Sequence, residues 1–369
     1  MAGPSPAVTP MASGARLPGL DALRALAIIW VLAYHAEGFG LVPDGALVGR
    51  GWMGVDLFFV LSGYLIGGQI FRPLARGQPF NLGGFYARRA LRTLPAFAVV
   101  AFIYFAVPAW REWGAIQPLW QFATFTENLF VHVRPAKAFS HVWSLCVEEQ
   151  FYLLFPVAAL ALSARPRLWT AVAAGLAVLA GGMALRGAIW MHDLSPYYAH
   201  GVFKEGYVAA YMDHIYLPTW TRLDGLLMGV LAAAAEAFRP RAWRAIAARA
   251  NLLLGLGAAG LLAAFAVFKT QFPGPVGTVM GYPLLSASLG LIVVAATSPN
   301  CILLGRPIPG ARPVAVISYS LYLSHKLLLH WAVARFHVDP DHIRLLPGVV
   351  GLAAAVATAS VLYLLVERP

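Results

Sequence analysis

Leu20 to His35 reads LDALRALAIIWVLAYH, an apolar run interrupted by Asp21, Arg24 and His35. Ionisable side chains inside a membrane helix are rare and face a bundle interior or a wet cavity, so each one is a functional hypothesis. Arg24 and His35 are eleven residues apart. At 3.6 residues per turn that is three turns plus about 20°, which sets both on one helix face, roughly 16 Å apart along the axis. The plainer alternative pairs Asp21 with Arg24 at i, i+3 near the helix end and leaves His35 at a wet rim. The rest of the chain has to decide between them.

Hydrophobic residues make up 60% of the 369 residues and charged ones 12%, against about 25% charged in soluble domains. With a mean hydropathy of +0.69, the composition specifies an all-α polytopic membrane protein. The net charge of +11 does not indicate a nucleic-acid partner, because the cations lie between apolar spans rather than in a basic stripe. Residues 1–16 are Pro, Ser, Ala and Gly rich and are expected to be a disordered leader, with residues 17–369 forming one transmembrane domain. The first span is too long and too charged for a cleaved signal peptide.

Apolar runs of bilayer-crossing length predict about ten transmembrane helices, near 17–40, 51–71, 93–110, 143–163, 168–188, 218–238, 251–269, 276–296, 314–336 and 346–366. The stretch from Leu119 to Val133 is short and contains Glu127, Asn128 and His132, so it reads as a re-entrant or interfacial segment. With a cytoplasmic N-terminus, the segments assigned inside are the arginine-rich ones, such as Arg72, Arg76, Arg88, Arg89 and Arg92, then Arg165 and Arg167, then Arg239, Arg241, Arg244 and Arg249. The outside segments are poorer in cations and include Arg344, so both termini are expected in the cytoplasm and the chain in a bacterial inner membrane.

Cys146 and Cys301 fall near opposite faces of this arrangement and carry no redox or zinc signature. No phosphate-cradling loop, dinucleotide fingerprint or nucleophile elbow is present. The ionisable groups inside the spans instead sort by depth. Asp56 in GWMGVDLFFVLSGYLI, Glu148 in HVWSLCVEEQFYLLFP and His35 each lie about five residues from the outer boundary. Arg222 and Asp224 of TWTRLDGLLMG and His330 arrive at similar depth. At the opposite pole Arg88, Arg89 and Arg92 are expected just before the third span, close to Arg24. Positive-inside anchoring explains Arg72 and Arg76. Arg24 needs an anion, either Asp21 or a phosphate-bearing ligand that guanidinium can grip bidentately.

LDALRALAIIWVLAYH with its R-x10-H spacing, GVDLFFVLSGYLI, FYARRALRTLP, HVWSLCVEEQFYLLFP, TRLDGLLMG, ISYSLYLSH and the terminal VERP, taken in this order, resemble the acyltransferase-3 family of integral membrane O-acyltransferases. The resemblance runs from about Leu17 to Pro369. It implies a ten-helix domain that moves an acyl group, commonly acetyl, from cytoplasmic acyl-CoA to a hydroxyl of a sugar, glycan or glycosylated metabolite, with no bound cofactor. It also implies that His35 is the essential histidine, Arg24 its motif partner, Arg89 and Arg92 the donor-binding pair and Glu148 the motif acid. The sequence departs from the family where YLSHKLLLH places Lys326 beside His325, which leaves His325 as a possible site residue only. An extracytoplasmic hydrolase-like domain of the kind some members carry is not expected.

General chemistry asks for the same parts. A base near its operating pH must take the hydroxyl proton, and His35 has the right chemistry. Asp56 or Glu148 would orient it, Ser144, Tyr152 or Arg222 could donate to the oxyanion, and an acyl-histidine is equally compatible. The segment from Ile189 to Leu217, rich in tyrosine, would meet the acceptor or form an aromatic belt. Its His192, Asp193, His200, Asp213 and His214 are too irregularly spaced for a metal site. The alternatives on the residues alone are a transporter or flippase using the buried His, Asp, Glu and Arg as a path, and a non-catalytic membrane sensor.

Overall fold

In the computed structural model the described residues are 17–130, 132–163, 168–199, 202–338 and 345–368. The leader and Arg165, Arg167, His200 and Arg344 lie outside them. The fold is helical: α1 Pro18–Gly38, α2 Met53–Ala75, α3 Leu82–Ala106, α4 Leu119–Ala123, α5 Glu127–Phe130, α6 Trp143–Ser163, α7 Leu168–Ile189, α8 Tyr207–Tyr211, α9 Asp224–Phe238, α10 Pro240–Ala247, α11 Ala250–Val267, α12 Tyr282–Ala296, α13 Ala311–Phe336 and α14 Leu345–Leu362. The only strands among the described residues are two-residue ribbons, Ala115–Ile116 with Lys137–Ala138 and Tyr198–Ala199 with Val202–Phe203.

Each of the ten expected spans has a long helix in its place. Eight are long and apolar enough to cross a membrane, and the chain is an integral membrane protein. The other two are α9, with 15 residues, and α13, whose run contains Arg312, His325, Lys326 and Arg335. Leu119 to Val133 does not form a span; its described residues hold the two short helices α4 and α5. The third helix starts eleven residues before the position read from hydropathy, at Leu82 instead of 93. Asn81 caps it by accepting a hydrogen bond from the Gly84 amide at 2.8 Å. Arg88, Arg89 and Arg92 are therefore on α3, not in a loop before it.

The most extensive helix contact among the described residues is between α2 and α9, where each helix carries a small-xxx-small pair, Gly63 with Gly67 and Gly225 with Gly229. A Cβ on Gly63 would lie 2.1 Å from the Leu226 carbonyl oxygen, and one on Gly229 would lie 2.1 Å from that of Val60. Backbone meets backbone there, which is how helices gain dispersion energy where lipid removes the hydrophobic drive between them. Polar pairs lock both ends of this seam. Arg222 donates to Asp56 at 3.0 Å, and at the far end Arg72 and Tyr64 donate to Glu236 at 2.8 and 2.9 Å. The helix α1 packs on α2, α12 and α13 and buries Ala27, Ile28 and Val31, so the helix bearing Arg24 and His35 is held on several sides.

Candidate active site

Three imidazoles meet where α1, α6 and α13 converge. His35 comes from the last turn of α1, His325 from the middle of α13, and His141 from the single 3-10 turn that leads into α6. Ring centroids of His35 and His325 are 4.8 Å apart, those of His141 and His325 5.0 Å, and those of His35 and His141 6.4 Å. His35 Nδ1 is 2.9 Å from His325 Nε2. His325 Nδ1 lies 2.7 Å from the Tyr322 carbonyl oxygen and 3.2 Å from that of Leu321.

Carbonyls only accept, so His325 Nδ1 carries the proton and donates. In a neutral ring its Nε2 is then an acceptor, and the hydrogen at the 2.9 Å contact belongs to His35 Nδ1. The remaining nitrogen of His35, Nε2, holds a lone pair. His35 lines a cavity of about 320 Å³ together with Tyr34, Trp52, His141, Trp143, Tyr216 and Lys326. One imidazole thus orients another, and the oriented ring belongs to the wall of the cavity.

The hydroxyls nearby are spent on holding this frame. Tyr322 donates to the His141 carbonyl, so the Ser144 hydroxyl must donate to the Tyr322 oxygen at 2.6 Å. His141 Nε2 faces the Leu323 carbonyl at 3.3 Å and its Nδ1 is buried without a partner. Ser144 therefore lies beside the cluster as a tether, with its proton engaged.

Glu148 does not share the depth of His35. It is one helical turn beyond Ser144, and its oxygens accept from Ser62 at 2.8 Å and Tyr152 at 2.9 Å. The cations acting on it are Arg89 and Arg24. Asp56 does not reach His35 either: its hydrogen bond is with Arg222. Arg222 is covered by Tyr282, Tyr216 and Trp143, whose ring centroids lie 4.3, 4.6 and 5.4 Å from its guanidinium carbon. Asp224 accepts instead from Arg186 at 2.7 and 3.0 Å. The expectation that a carboxylate orients His35 is therefore corrected, because both nominated carboxylates are engaged elsewhere and an imidazole takes the place. His330, also expected at this depth, lies one helical turn beyond Lys326 against Phe39, outside the imidazole cluster.

At the other pole Arg24, half-buried near the start of α1, shares the field of Arg92, Asp21, Tyr152 and Glu148. Arg89 lies with its guanidinium carbon 5.6 Å from the Tyr152 ring centroid, and its Nε is buried without a partner. Arg92, three residues on from Arg89, is exposed, and so is Arg88, one turn before Arg92 on α3. The structure brings Arg24, Arg89, Glu148 and Tyr152 together.

A family model described as an acyltransferase domain matches residues 17–366. The chain belongs to the acyltransferase-3 family. It is 26% identical to the peptidoglycan O-acetyltransferase OatA of Listeria monocytogenes across 96% of this chain and 55% of that protein. It is 36% identical to the O-acetyltransferase OatA of Staphylococcus aureus over 156 residues, which are 38% of this chain and 24% of that one. The chain spans about half the length, or less, of these curated relatives. No solved structure matches it.

Within this acyltransferase-3 domain, sequence reading passed over His141, Arg186 and Lys326 as site residues. His141 opens the motif HVWSLCVEEQFYLLFP and could have been found there, since it is a histidine at the mouth of a span. Arg186 is fully buried at the end of α7 and was hidden by the apolar run around it. Behind Lys326 lie two buried carboxyl groups from the segment between α3 and α6. Glu112 accepts from the Phe139 amide at 3.0 Å with one oxygen and has none for the other. Glu127 is fully buried with neither oxygen hydrogen-bonded. Burial pushes its carboxyl up to about 8, against the pull of Lys326 and Lys137. No group of His, Cys, Asp and Glu fit to hold a metal occurs among the described residues.

Proposed function

We propose that this domain is a membrane O-acyltransferase that moves an acyl group, acetyl in the simplest case, from cytoplasmic acyl-CoA to a hydroxyl of a glycan such as peptidoglycan, in a bacterial inner membrane. The observation that carries the reading is the 2.9 Å contact between His35 Nδ1 and His325 Nε2, which directs the basic nitrogen of His35 away from its partner. His35 Nε2 takes the acceptor's proton as its oxygen attacks the thioester carbonyl. The tetrahedral intermediate then expels the thiolate, which recovers that proton from His35. His325 stabilises the ring as the orienting member of a triad does. The nucleotide phosphates of the donor are assigned to Arg24, Arg89 and Arg92, whose forks suit phosphate oxygens. The acceptor is assigned to the histidine cavity, whose wall includes the aromatic residues Trp52, Trp113, Trp143 and Tyr216.

The test uses the full chain in proteoliposomes with radiolabelled acetyl-CoA and soluble peptidoglycan fragments. Label in an alkali-labile ester on the fragments, lost by about 10²-fold to 10⁴-fold in His35→Ala, supports the reading. Unchanged turnover in a folded His35→Ala protein removes it.

A further inference from the structure

The oxyanion of the tetrahedral intermediate needs a donor beside His35, and the side chains expected to supply it are unsuited. Ser144 donates to Tyr322, Tyr152 is committed to Ser62 and Glu148 at the arginine pole, and Arg222 is paired with Asp56 and boxed by aromatic rings. Lys326 remains. It follows His325 on α13, is half-buried, and lines the same cavity as His35. Glu112 and Glu127 are the acids that act on its amine.

Those two carboxyl groups argue that the lysine is built in. Each comes from the non-spanning segment between α3 and α6, and three of their four oxygens are buried with no hydrogen bond. A buried carboxyl group without hydrogen-bond partners is unfavourable, and a nearby cation offsets part of that cost. The cavity wall, by contrast, contains neither Asp nor Glu among the described residues. The lysine is therefore bordered by buried carboxyl groups on one side and faces, on the other, a wall with no acid among the described residues.

We infer that Lys326 is a further catalytic residue, the cation that stabilises the oxyanion formed when the acceptor attacks the thioester beside His35. In that step the acceptor oxygen forms a bond to the carbonyl carbon and gives its proton to His35 Nε2. The carbonyl π pair moves onto oxygen facing the Lys326 ammonium. Return of that pair re-forms the carbonyl and breaks the carbon–sulfur bond, and the thiolate leaves with the proton from His35. A fixed cation of this kind works because it is in place before the charge develops.

This inference rests on the proposed acyl transfer, and the experiment separates the two. Steady-state kinetics with acetyl-CoA and soluble peptidoglycan fragments are compared for wild type, Lys326→Met and Lys326→Arg in proteoliposomes. Loss of an oxyanion donor lowers kcat by about 10²-fold to 10³-fold, leaves both KM values within about threefold, and is partly restored by arginine. The double variant Glu127→Gln, Lys326→Met removes an acid together with the cation, so it guards against misfolding from an unpaired acid, and its kcat is expected to stay equally low. A kcat within threefold of wild type in a folded Lys326→Met or double variant overturns the inference. A loss confined to acceptor KM overturns it as well and makes Lys326 an acceptor anchor. A wild type that transfers no acyl group overturns the reading beneath it.

Discussion

His325 Nδ1 has two carbonyl oxygens for neighbours and no other choice but to donate. That backbone arrangement reaches through two rings to fix which nitrogen of His35 is basic. His325→Ala should lower kcat by about 10- to 100-fold with little change in donor KM, a smaller loss than that of the base itself. His325→Gln should restore part of it, because a side-chain oxygen can still accept from His35 Nδ1. Equal loss in both variants would show a packing role instead. Glu127 offers a second measurement at this scale. Well below pH 4.5 its carboxyl is protonated in folded and unfolded chains alike, so it has no effect on stability. As pH rises from 4.5 to about 8, the unfolded chain releases the proton while the folded chain keeps it, and stability falls. The melting temperature of wild type should therefore decline across that window relative to Glu127→Gln, and parallel curves would rule out a buried protonated acid. His35 was legible in the sequence because an imidazole in an apolar run demands a reason. Its partner was legible only as a possible site residue, because Lys326 made His325 look out of place and nothing in the local pattern shows the acids near that lysine.

Helix positions were easier to read than helix depths. Hydropathy finds a span wherever about twenty apolar residues follow one another, and each of its ten positions coincides with a long helix among the described residues, eight of them of spanning length and apolarity. It misses the start of α3 because a turn rich in arginine does not register as apolar, although Asn81 caps it well. Depth was misjudged for α6, where counting residues from the boundary set Glu148 level with His35. The 3-10 turn at 140–142 takes the chain in first, so His141 and Ser144 occupy that level and Glu148 falls a turn beyond. The seam between α2 and α9 makes its own forecast. Gly229→Val puts carbon where the Val60 carbonyl oxygen stands, 2.1 Å from the new Cβ, and should destabilise by about 1–3 kcal/mol or more. Gly255→Val on α11, which would meet nothing within 4 Å, is the matched control. Similar melting temperatures for the two would contradict a backbone-to-backbone seam.

The whole molecule separates its charges into two poles, and the proposed orientation assigns them to opposite faces of the membrane. A reporter fused after Arg76 or Arg244 should behave as cytoplasmic and one near Ala199 as external; reversed signals would invert the assignment. At the arginine pole, Arg89→Ala should raise the apparent donor constant about tenfold to a hundredfold, the equivalent of one charge-assisted contact of about 1.5 to 3 kcal/mol. Turnover at saturation should change less. Binding of acetyl-CoA to purified protein at two salt concentrations checks this, and equal affinities for wild type and variant would exclude the clamp.

Because Arg24 and His35 are on one continuous helix, their separation works as a ruler that neither thermal motion nor a neighbouring helix can easily shorten. In the proposed reaction roughly 16 Å of helix is matched by the flexible arm of the donor, and that proposal delivers a thioester at the right height only when its nucleotide end is seated. A donor cut back to acetyl-pantetheine would still fit the bundle, but nothing would set its height. It should lose kcat as well as affinity, since binding energy from the remote end is what holds the reacting carbon in register. Adding the separate nucleotide fragment should return little of that loss, for a ruler in two pieces measures nothing.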